Sequence, residues 1–189
     1  MSENKTQHKK STISIKQLAV SAIAIALATV TSYLKLFHLP MGGSVTLFSM
    51  LFICLIGYWF GLRTGLIAGV AYGLLQLIID PYIVSPMQVI VDYVLSFGAL
   101  GLSGLFWRKK HGLITGYIVG VLGRYFFSFW SGLIFFGSYA ADYGMAAPVY
   151  SLVYNGAYLG AEALLTLILL AIPAVQKGFA RVKALTTEA

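Results

Sequence analysis

The side chains most able to do chemistry are a few charges set inside strongly apolar stretches. The segment PMQVIVDYVLSFGALGLSGLFW, residues 86–107, is apolar enough to enter lipid except for one carboxylate, that of Asp92. Arg124 and Glu162 interrupt two later apolar stretches in the same way. An ionised side chain at the centre of a membrane costs about 2.5–3.5 kcal/mol on insertion scales. Because of this cost, we expect these side chains either to pair with one another or to contact a polar ligand.

The polar residues within the apolar stretches recur every three or four positions. Residues at that spacing share one face of an α-helix. Four stretches show the pattern, with Tyr72, Gln76, Asp80, Gln88, Asp92, Ser96, Arg124, Ser128, Gly132, Ser151, Asn155, Tyr158 and Glu162. Each helix is therefore predicted to turn one polar ribbon toward the inside of a bundle.

Aromatic residues surround Asp92 at the same predicted depth, in the outer half of the membrane. They are Tyr72, Tyr82, Tyr93, Tyr125, Phe126, Phe129, Trp130, Phe136, Tyr139, Tyr150, Tyr154 and Tyr158. More than half of these rings are expected to face lipid or to form interfacial belts. Aromatic faces attract cations by about 2 kcal/mol or more once water is excluded, and flat rings stack on them. A carboxylate among such rings predicts an outward-facing pocket for a flat, cationic organic ligand.

A competing interpretation makes Asp92 and Arg124 a structural ion pair. That pairing would remove the cost of burying both charges, but it leaves the neighbouring amide and tyrosines unexplained. Glu162 is predicted to lie deeper than the other polar residues, where it could serve packing or pair with Arg124.

The composition places these residues in a membrane protein. Hydrophobic residues make up 59% of the 189 positions, charged residues 10%, and the mean hydropathy is +0.84. About 20 apolar residues span the hydrocarbon layer. The predicted spans are 15–34, 45–60, 63–79, 87–106, 113–136 and 148–172. We therefore expect an all-α integral membrane protein, a single bundle of six transmembrane helices.

The chain divides into one membrane domain with short polar ends. Residues 1–12 are predicted to be a basic cytoplasmic tail, 13–175 the membrane domain, and 176–189 a cytoplasmic C-terminal tail. Proline and glycine in LPMGGSVTL, residues 39–47, predict an irregular outer loop between helices 1 and 2. The opposite loops carry Lys35, His38, Asp80 and Asp142, a far weaker basic signal, and most basic residues fall on the other side of the bundle: Lys5, Lys9, Lys10, Lys16, Arg63, Arg108, Lys109, Lys110, Lys177, Arg181 and Lys183. The positive-inside rule then predicts a plasma-membrane protein with both termini cytoplasmic.

Several function classes find no support in the sequence. Cys54 is the only cysteine, so an intrachain disulfide or a cysteine-based metal site is not expected. The sequence lacks HExxH, a P-loop and a nucleophile elbow, and Asp92 and Glu162 differ too much in predicted depth to form a hydrolase dyad. The net charge of +7 resides at helix ends without interleaved aromatic residues, which favours a membrane surface over nucleic acid. We expect neither an enzyme nor a metal or cofactor.

Small residues predict close helix packing. Gly61, Gly65, Gly69 and Gly73 recur every four positions, which is typical of helix contacts inside a membrane bundle. The first helix carries alanines over much of its surface, namely Ala19, Ala22, Ala24, Ala26 and Ala28. This alanine face could dock another membrane protein or a neighbouring helix of the same bundle.

Four motifs together resemble the thiamine-specific S component of the energy-coupling factor (ECF) transporters. They are GGSVTL (42–47), SPMQVIVDYVLSFGALGLSGLF (85–106), RYFFSFWSGLIFFGSYA (124–140) and PVYSLVYNGAY (148–158). The resemblance covers nearly the whole chain. It implies a six-helix protein that captures thiamine from outside with high affinity and hydrolyses nothing. A shared transmembrane coupling protein and two ATPases would then drive thiamine inward.

The resemblance also implies roles for individual residues. Asp92 would pair with the thiamine cation or its ring nitrogens, with Tyr93 beside it. Phe136 would stack on a ligand ring that Gly132 allows to approach. The remaining implied site residues are Tyr150 and Asn155 as hydrogen-bonding groups, Arg124 as a basic group below them, Ser128, and Tyr72 and Tyr82 as aromatic walls. The docking motif for the coupling protein corresponds to Ala19 and Ala22 or Ala26.

The sequence departs from the family pattern at the pocket. Ser128 stands where a histidine is typical, and Phe136 where some members carry tryptophan. A serine cannot stack on a pyrimidine, so one wall of the pocket is expected to be thinner. Asp92 replaces the longer glutamate of some members, which shifts the carboxylate by one methylene.

Two other functions are compatible with the sequence. One is an S component for another vitamin, and the other is a small autonomous permease in which Asp92 and Arg124 gate a polar path. Inverted repeats would favour the permease, and no such symmetry relates the two halves of the sequence.

Overall fold

The computed structural model describes residues 13–41 and 43–187. The predicted N-terminal tail, residues 1–12, and Gly42 of the GGSVTL motif lie outside these ranges. The helices are α1 (Ile15–Tyr33), α2 (Ser49–Phe60), α3 (Leu62–Ile79), α4 (Pro86–Phe106), α5 (Gly112–Phe135), α6 (Ala147–Ala171) and α7 (Pro173–Thr187). All but α2 and α7 are long and apolar enough to cross a membrane, and α2 is a shorter apolar helix of 12 residues. The protein is an all-α, multi-pass membrane protein.

The loop between α1 and α2 is more regular than predicted. Strands β1 (Lys35–His38) and β2 (Ser44–Thr46) pair antiparallel and form a hairpin. The helix predicted from residue 45 therefore begins at Ser49, since Ser44–Thr46 bond to β1 and Phe48 adopts a left-handed conformation (φ 61°) that interrupts the helix. The hairpin occupies one end of the bundle.

Glu162 stabilises the beginning of α2. The helix has no side-chain cap of its own, and the buried carboxylate of Glu162 in α6 accepts hydrogen bonds from the Ser49 hydroxyl (3.1 Å) and the Met50 N–H (3.0 Å). It also accepts from the Thr46 hydroxyl (2.5 Å) at the end of β2. A carboxylate at a helix N-terminus satisfies free N–H groups and interacts favourably with the helix dipole. Of the two roles considered for Glu162, the structure therefore favours packing over pairing with Arg124.

Helix α4 is irregular along its length. It begins as an α-helix, becomes a π-helix at Ile90–Leu95, and ends as a 3₁₀-helix at Leu100–Phe106. Its backbone lies directly on the glycines of α3, as the four-residue spacing predicted. A Cβ atom at Gly69 would lie 2.6 Å from the Phe97 carbonyl oxygen, and one at Gly73 would overlap the Tyr93 carbonyl. Only glycine allows this approach at the π-helical turn.

The segment predicted as a C-terminal tail is largely helical. Helix α7 packs on the end of the bundle through Phe179, whose carbonyl accepts a hydrogen bond from the Trp59 indole N–H at 3.1 Å. Lys183 lies 4.1 Å over the ring of Tyr58 and donates to the Trp107 carbonyl. Burial lowers the pKa of Lys183 below its usual value. Helix α7 carries polar residues on one face and apolar residues on the other. Hydropathy averaged over a segment of membrane-spanning length does not detect such a helix.

Candidate functional site

A cavity of about 650 Å³ opens at the hairpin end of the bundle. This volume falls within the range of about 300–1,000 Å³ that is usual for small-molecule sites. Helices α3 to α6 form its walls, and the loops after α3 and α5 form its mouth. The predicted site residues that line it are Tyr82, Asp92, Tyr93, Arg124, Ser128, Gly132, Phe136, Tyr150 and Asn155.

Tyr72 lies outside the cavity lining, contrary to the prediction. Its side chain is fully buried and donates to the Ala28 carbonyl of α1 at 3.3 Å. Its ring packs edge-on against Phe97, with centroids 5.2 Å apart, and Phe97 does line the cavity. The helical period correctly predicted that Tyr72 faces the inside of the bundle. It could not show that α1 packs against that face. Tyr72 supports the cavity wall from behind.

Asp92 and Tyr93 belong to the π-helical turn of α4. Such turns widen the helix and are frequent at functional sites. The Asp92 carboxylate accepts a short hydrogen bond from the Gln88 amide at 2.6 Å. The Tyr93 hydroxyl donates to the Asp80 carbonyl (3.2 Å) and accepts from the Tyr82 N–H (2.9 Å). The π-helical turn of α4 thus places the Asp92 carboxylate at the cavity and, through the Tyr93 hydroxyl, bonds to the loop that follows α3.

Arg124 does not neutralise Asp92. Its guanidinium group lies 4.1 Å over the ring of Phe97, and its Nε is buried without a hydrogen-bond partner. The hydrogen-bond donor to Asp92 is the Gln88 amide, and no ion pair joins Arg124 to Asp92 or Glu162 within the part of the chain that the structure describes. The structural ion pair considered from the sequence is therefore not formed. A cation–π contact instead holds the Arg124 side chain.

The wall formed by α5 and α6 is a hydrogen-bonded polar network. The Ser128 hydroxyl bonds to that of Ser96 at 2.9 Å, which joins α4 to α5. The Asn155 amide donates to the Ser128 carbonyl at 3.2 Å, and its oxygen accepts from the Tyr158 hydroxyl at 3.1 Å. Both partners hold the Asn155 amide in one orientation.

Gly132 has a packing role that the sequence did not indicate. A Cβ atom there would overlap the Ser151 hydroxyl and lie 3.1 Å from the Asn155 Nδ2 atom. The Ser151 hydroxyl in turn donates to the Phe129 carbonyl at 2.7 Å. The absent side chain therefore brings α6 against α5, in addition to leaving room in the cavity that Gly132 lines.

Aromatic rings form the mouth of the cavity. The ring of Tyr82 lies 5.7 Å from that of Phe136, and the hydroxyls of Tyr82 and Tyr139 are 3.0 Å apart. Tyr143 also stacks on Tyr150, with ring centroids 5.5 Å apart. Tilted and stacked rings at these separations suit a planar ligand.

Eleven lining residues were not among the predicted binding residues. Seven of these belong to the predicted polar ribbons or to the aromatic set: Gln76, Asp80, Gln88, Tyr139, Ser151, Tyr154 and Tyr158. The four that belong to neither are Met41, Phe97, Asp142 and Tyr143. Met41 follows the hairpin strand β1, while Asp142 and Tyr143 lie in the 3₁₀-helix Gly137–Tyr143 between α5 and α6. Residues in connecting segments have no helical period, so the polar pattern could not identify them. For Phe97, its position next to Ser96 in the polar ribbon was a usable signal.

The charge of the cavity favours a cationic guest. Asp80, Asp92 and Asp142 line it against the single cationic side chain of Arg124. No group of three or more His, Cys, Asp or Glu residues able to hold a metal ion is found in the described residues. The cavity therefore offers one half-buried carboxylate, that of Asp92, together with a hydrogen-bonding amide wall and aromatic rings, and this combination is suited to binding a flat organic cation.

The fold of the chain is similar to a solved structure of ThiT from Listeria monocytogenes. The TM-score is 0.72 at 28% sequence identity, over 85% of this chain and 93% of that chain. Two curated relatives, each named "Thiamine transporter ThiT", are also similar. The Bacillus subtilis protein is 32% identical, covering 79% of this chain and 84% of its own length. The Lacticaseibacillus paracasei protein is 27% identical, covering 88% of each chain.

The family described as "Thiamine transporter protein (Thia_YuaJ)" matches residues 18–180, which include most of α1, about half of α7 and every described element between them. This match takes in the whole cavity. The resemblance noted from the motifs is thereby confirmed, and the chain belongs to the Thia_YuaJ family of thiamine transporter proteins.

Proposed function

We propose that this chain is a thiamine-binding S component, which captures thiamine from outside the cell for import by an ECF-type transporter. The observation that carries the proposal is the family match over residues 18–180 together with a cavity whose lining suits an organic cation. Thiamine is such a cation, with two flat rings. Binding, rather than chemistry on the ligand, is the task of this chain, so it is not an enzyme.

Asp92 is the proposed partner of the positively charged ligand. The carboxylate lines the cavity and makes no ion pair with Arg124, so its charge is available to a guest. A charge taken out of water is costly unless it is paired. The aromatic rings of Tyr82, Phe136 and Tyr150 complete the site by stacking on the ligand rings, and Asn155 offers an amide wall.

Import requires partners that this chain lacks. We propose that a transmembrane coupling protein docks on the exposed face of α1, and that two ATPases supply the energy. Ala19, Ala22 and Ala26 are all exposed on that helix, while Ala24 and Ala28 are buried in the bundle. Small exposed residues permit the close helix contact on which association in lipid depends.

We further propose that the cavity opens to the outside and that both termini are cytoplasmic. Lys35 lies in the hairpin, but most of the exposed basic residues support this orientation, because they lie at helix ends away from the cavity: Arg63, Arg108, Lys109, Lys110, Lys177 and Arg181. The positive-inside rule assigns that end of the bundle to the cytoplasm.

The test is thiamine binding by the detergent-solubilised chain alone, measured by calorimetry or by tryptophan fluorescence. Asp92→Asn keeps the shape and removes the charge, and we expect it to weaken binding at least tenfold, about 1.4 kcal/mol. Asp142→Asn is the matched control at the exposed rim, where solvent screens the charge and a loss below about threefold is expected.

Unchanged affinity in the Asp92→Asn variant would show that another group pairs with the cation. Failure of the wild-type chain to bind thiamine at all, while it holds another vitamin, would make it an S component of different specificity. Mass spectrometry of the molecule that co-purifies from cells grown in rich medium identifies the ligand in either case.

A further inference from the structure

Gln88 is a buried amide that lines the cavity without being free to contact a ligand. Its side chain is only 1% exposed, and it belongs to the sequence Ser85-Pro86-Met87-Gln88, which has the S-x-x-Q form of a helix capping box. The serine half of the box is present, since the Ser85 hydroxyl accepts from the Gln88 N–H at 3.1 Å. In a complete box the glutamine side chain would return to the Ser85 N–H.

The Gln88 side chain bonds elsewhere. Its oxygen accepts from the Val84 N–H at 3.1 Å, and its NH₂ group donates to the Tyr82 carbonyl at 3.2 Å and to the Asp92 carboxylate at 2.6 Å. An amide NH₂ has two protons to donate, and both are used within the protein. The amide therefore cannot donate to a ligand, and its effect on a ligand must pass through its neighbours.

The loop backbone determines which way the Gln88 amide points. The Val84 N–H is a donor and requires the amide oxygen, while the Tyr82 carbonyl and the Asp92 carboxylate are acceptors and require the nitrogen. All three partners agree on one orientation, so a rotated amide would lose every bond at once. The same amide thus joins Asp92 in α4 to the loop that carries the Tyr82 ring.

We propose that Gln88 is a positioning residue for the bound cation, which holds the Asp92 carboxylate and the Tyr82 wall of the cavity mouth in register through one side-chain amide. This inference rests on the proposed function, since it concerns the same thiamine site. A carboxylate held by a fixed donor needs little reorganisation when the cation arrives. Because Gln88 keeps the carboxylate and the Tyr82 wall in their binding positions, it contributes to affinity by slowing dissociation of the ligand.

The test is a double-mutant cycle with Gln88→Met, which keeps the length of the side chain and removes the amide. We expect Gln88→Met to weaken thiamine binding about tenfold, mainly through faster dissociation, because a hydrogen bond to a charged group is lost. In the Asp92→Asn background the same substitution should cost clearly less than tenfold, because the bond to the charged carboxylate is already absent and only the bonds to the loop at Tyr82 and Val84 are lost. Stopped-flow fluorescence on the detergent-solubilised chain provides both rates.

Ser85→Ala is the matched control for a role in helix capping alone. It removes the Ser85 hydroxyl from the Gln88 N–H and leaves the side-chain bonds of Gln88 in place. We expect a lower melting temperature with thiamine affinity within about threefold of wild type. Should Gln88→Met fail to fold, Gln88→Asn is measured in its place, because it keeps the amide but is one methylene too short to reach both Asp92 and Val84.

Three results would overturn the inference while wild-type thiamine binding stands. The first is a thiamine affinity of Gln88→Met equal to that of the wild type. The second is a loss of affinity on Gln88→Met that is the same with Asp92 as with Asn at position 92. The third is a loss of affinity in Ser85→Ala as large as that in Gln88→Met. Absence of thiamine binding by the wild-type chain would instead refute the proposed function, and the inference with it.

Discussion

At the scale of single residues, the site depends on where two opposite charges are placed. Arg124 lies over Phe97 and makes no ion pair with Asp92, which bonds to Gln88 and faces the cavity. Had the two charges paired, the carboxylate would have little to offer a cation, because a pair already satisfied gains nothing from a third charge. The separation of Asp92 from Arg124 is therefore what makes a cation site possible.

Gly132 provides a prediction at this scale. Gly132→Ala places a methyl group on the Ser151 hydroxyl, so α5 and α6 must separate or Ser151 must rotate. We expect a loss of stability of about 1–3 kcal/mol, as for other overpacked positions, together with weaker thiamine binding. Thermal unfolding in detergent, with and without thiamine, measures both effects.

The matched control for Gly132→Ala is Gly160→Ala on α6. A Cβ atom at Gly160 meets no atom within 4 Å, so the added methyl group is accommodated. Alanine also has the higher helix propensity, by about 1 kcal/mol. Equal melting temperatures for the two variants would contradict the packing role assigned to Gly132.

At the scale of elements, the hairpin and α2 are held to α6 by one carboxylate. Glu162 bonds to Thr46 at the end of β2 and to Ser49 and Met50 at the beginning of α2. Met41, in the hairpin loop, lines the cavity, and the Tyr143 hydroxyl donates to the Pro40 carbonyl at 3.3 Å. The position of the hairpin over the cavity mouth thus depends on a contact made deep in the bundle.

Glu162→Gln tests this dependence. The substitution keeps the shape, removes the charge at the N-terminus of α2 and replaces one acceptor oxygen with an NH₂ group. We expect the free energy of unfolding to fall by about 1–3 kcal/mol and thiamine to bind more weakly, because the hairpin loses its anchor. Denaturation in detergent and calorimetric titration give the two quantities.

Thr29→Val serves as the control for Glu162→Gln. It removes a side-chain hydrogen bond of 2.9 Å to the Ile25 carbonyl within α1, so no contact between elements is lost. Little change in stability is expected, since that carbonyl keeps its helical partner. If both variants unfold alike, Glu162 contributes no more than a local hydrogen bond.

At the scale of the whole molecule, the two ends of the bundle differ in charge. Within residues 13–41 and 43–187 the acidic residues are Asp80, Asp92, Asp142 and Glu162, and all but Glu162 line the cavity. Among the described residues, the exposed arginines and lysines other than Lys35 of β1 gather at the other end, where α7 packs. This distribution suits capture of a cation at one membrane face and retention of the basic end at the other.

The exposed face of α1 provides the prediction at this scale. Replacing Ala22 and Ala26 together with tryptophan adds bulk to a surface outside the bundle. We expect thiamine binding to be retained and cellular thiamine uptake to be lost, because the proposed coupling protein could no longer approach α1. Uptake of labelled thiamine into cells and binding by the purified variant are compared directly.

Ala157→Trp, on the exposed surface of α6, is the control for bulk on a lipid-facing helix, and both activities should persist. Loss of binding in the α1 variant would place Ala22 and Ala26 in the internal packing of the bundle. Normal uptake would exclude this face as the docking surface.

The sequence by itself determined the membrane-spanning helices and which polar side chains they turn inward. Five of the six predicted spans agree with the helices within one residue at each end, since hydropathy and span length are local properties. The 3.6-residue period placed Asp92, Ser128 and Asn155 on inward faces, where the structure brings them to one cavity. These predictions needed no knowledge of which helices are neighbours.

Only the tertiary structure decided how those side chains are partnered. Glu162 bonds to Thr46 across 116 residues of sequence, and Tyr72 is covered by a helix that lies 44 residues before it. The diversion of Gln88 from helix capping to Asp92 likewise follows from the path of the loop at Tyr82 and Val84. Hydrogen bonds and burial depend on which surfaces meet, and that is set by the packing of the whole bundle, which no local pattern specifies.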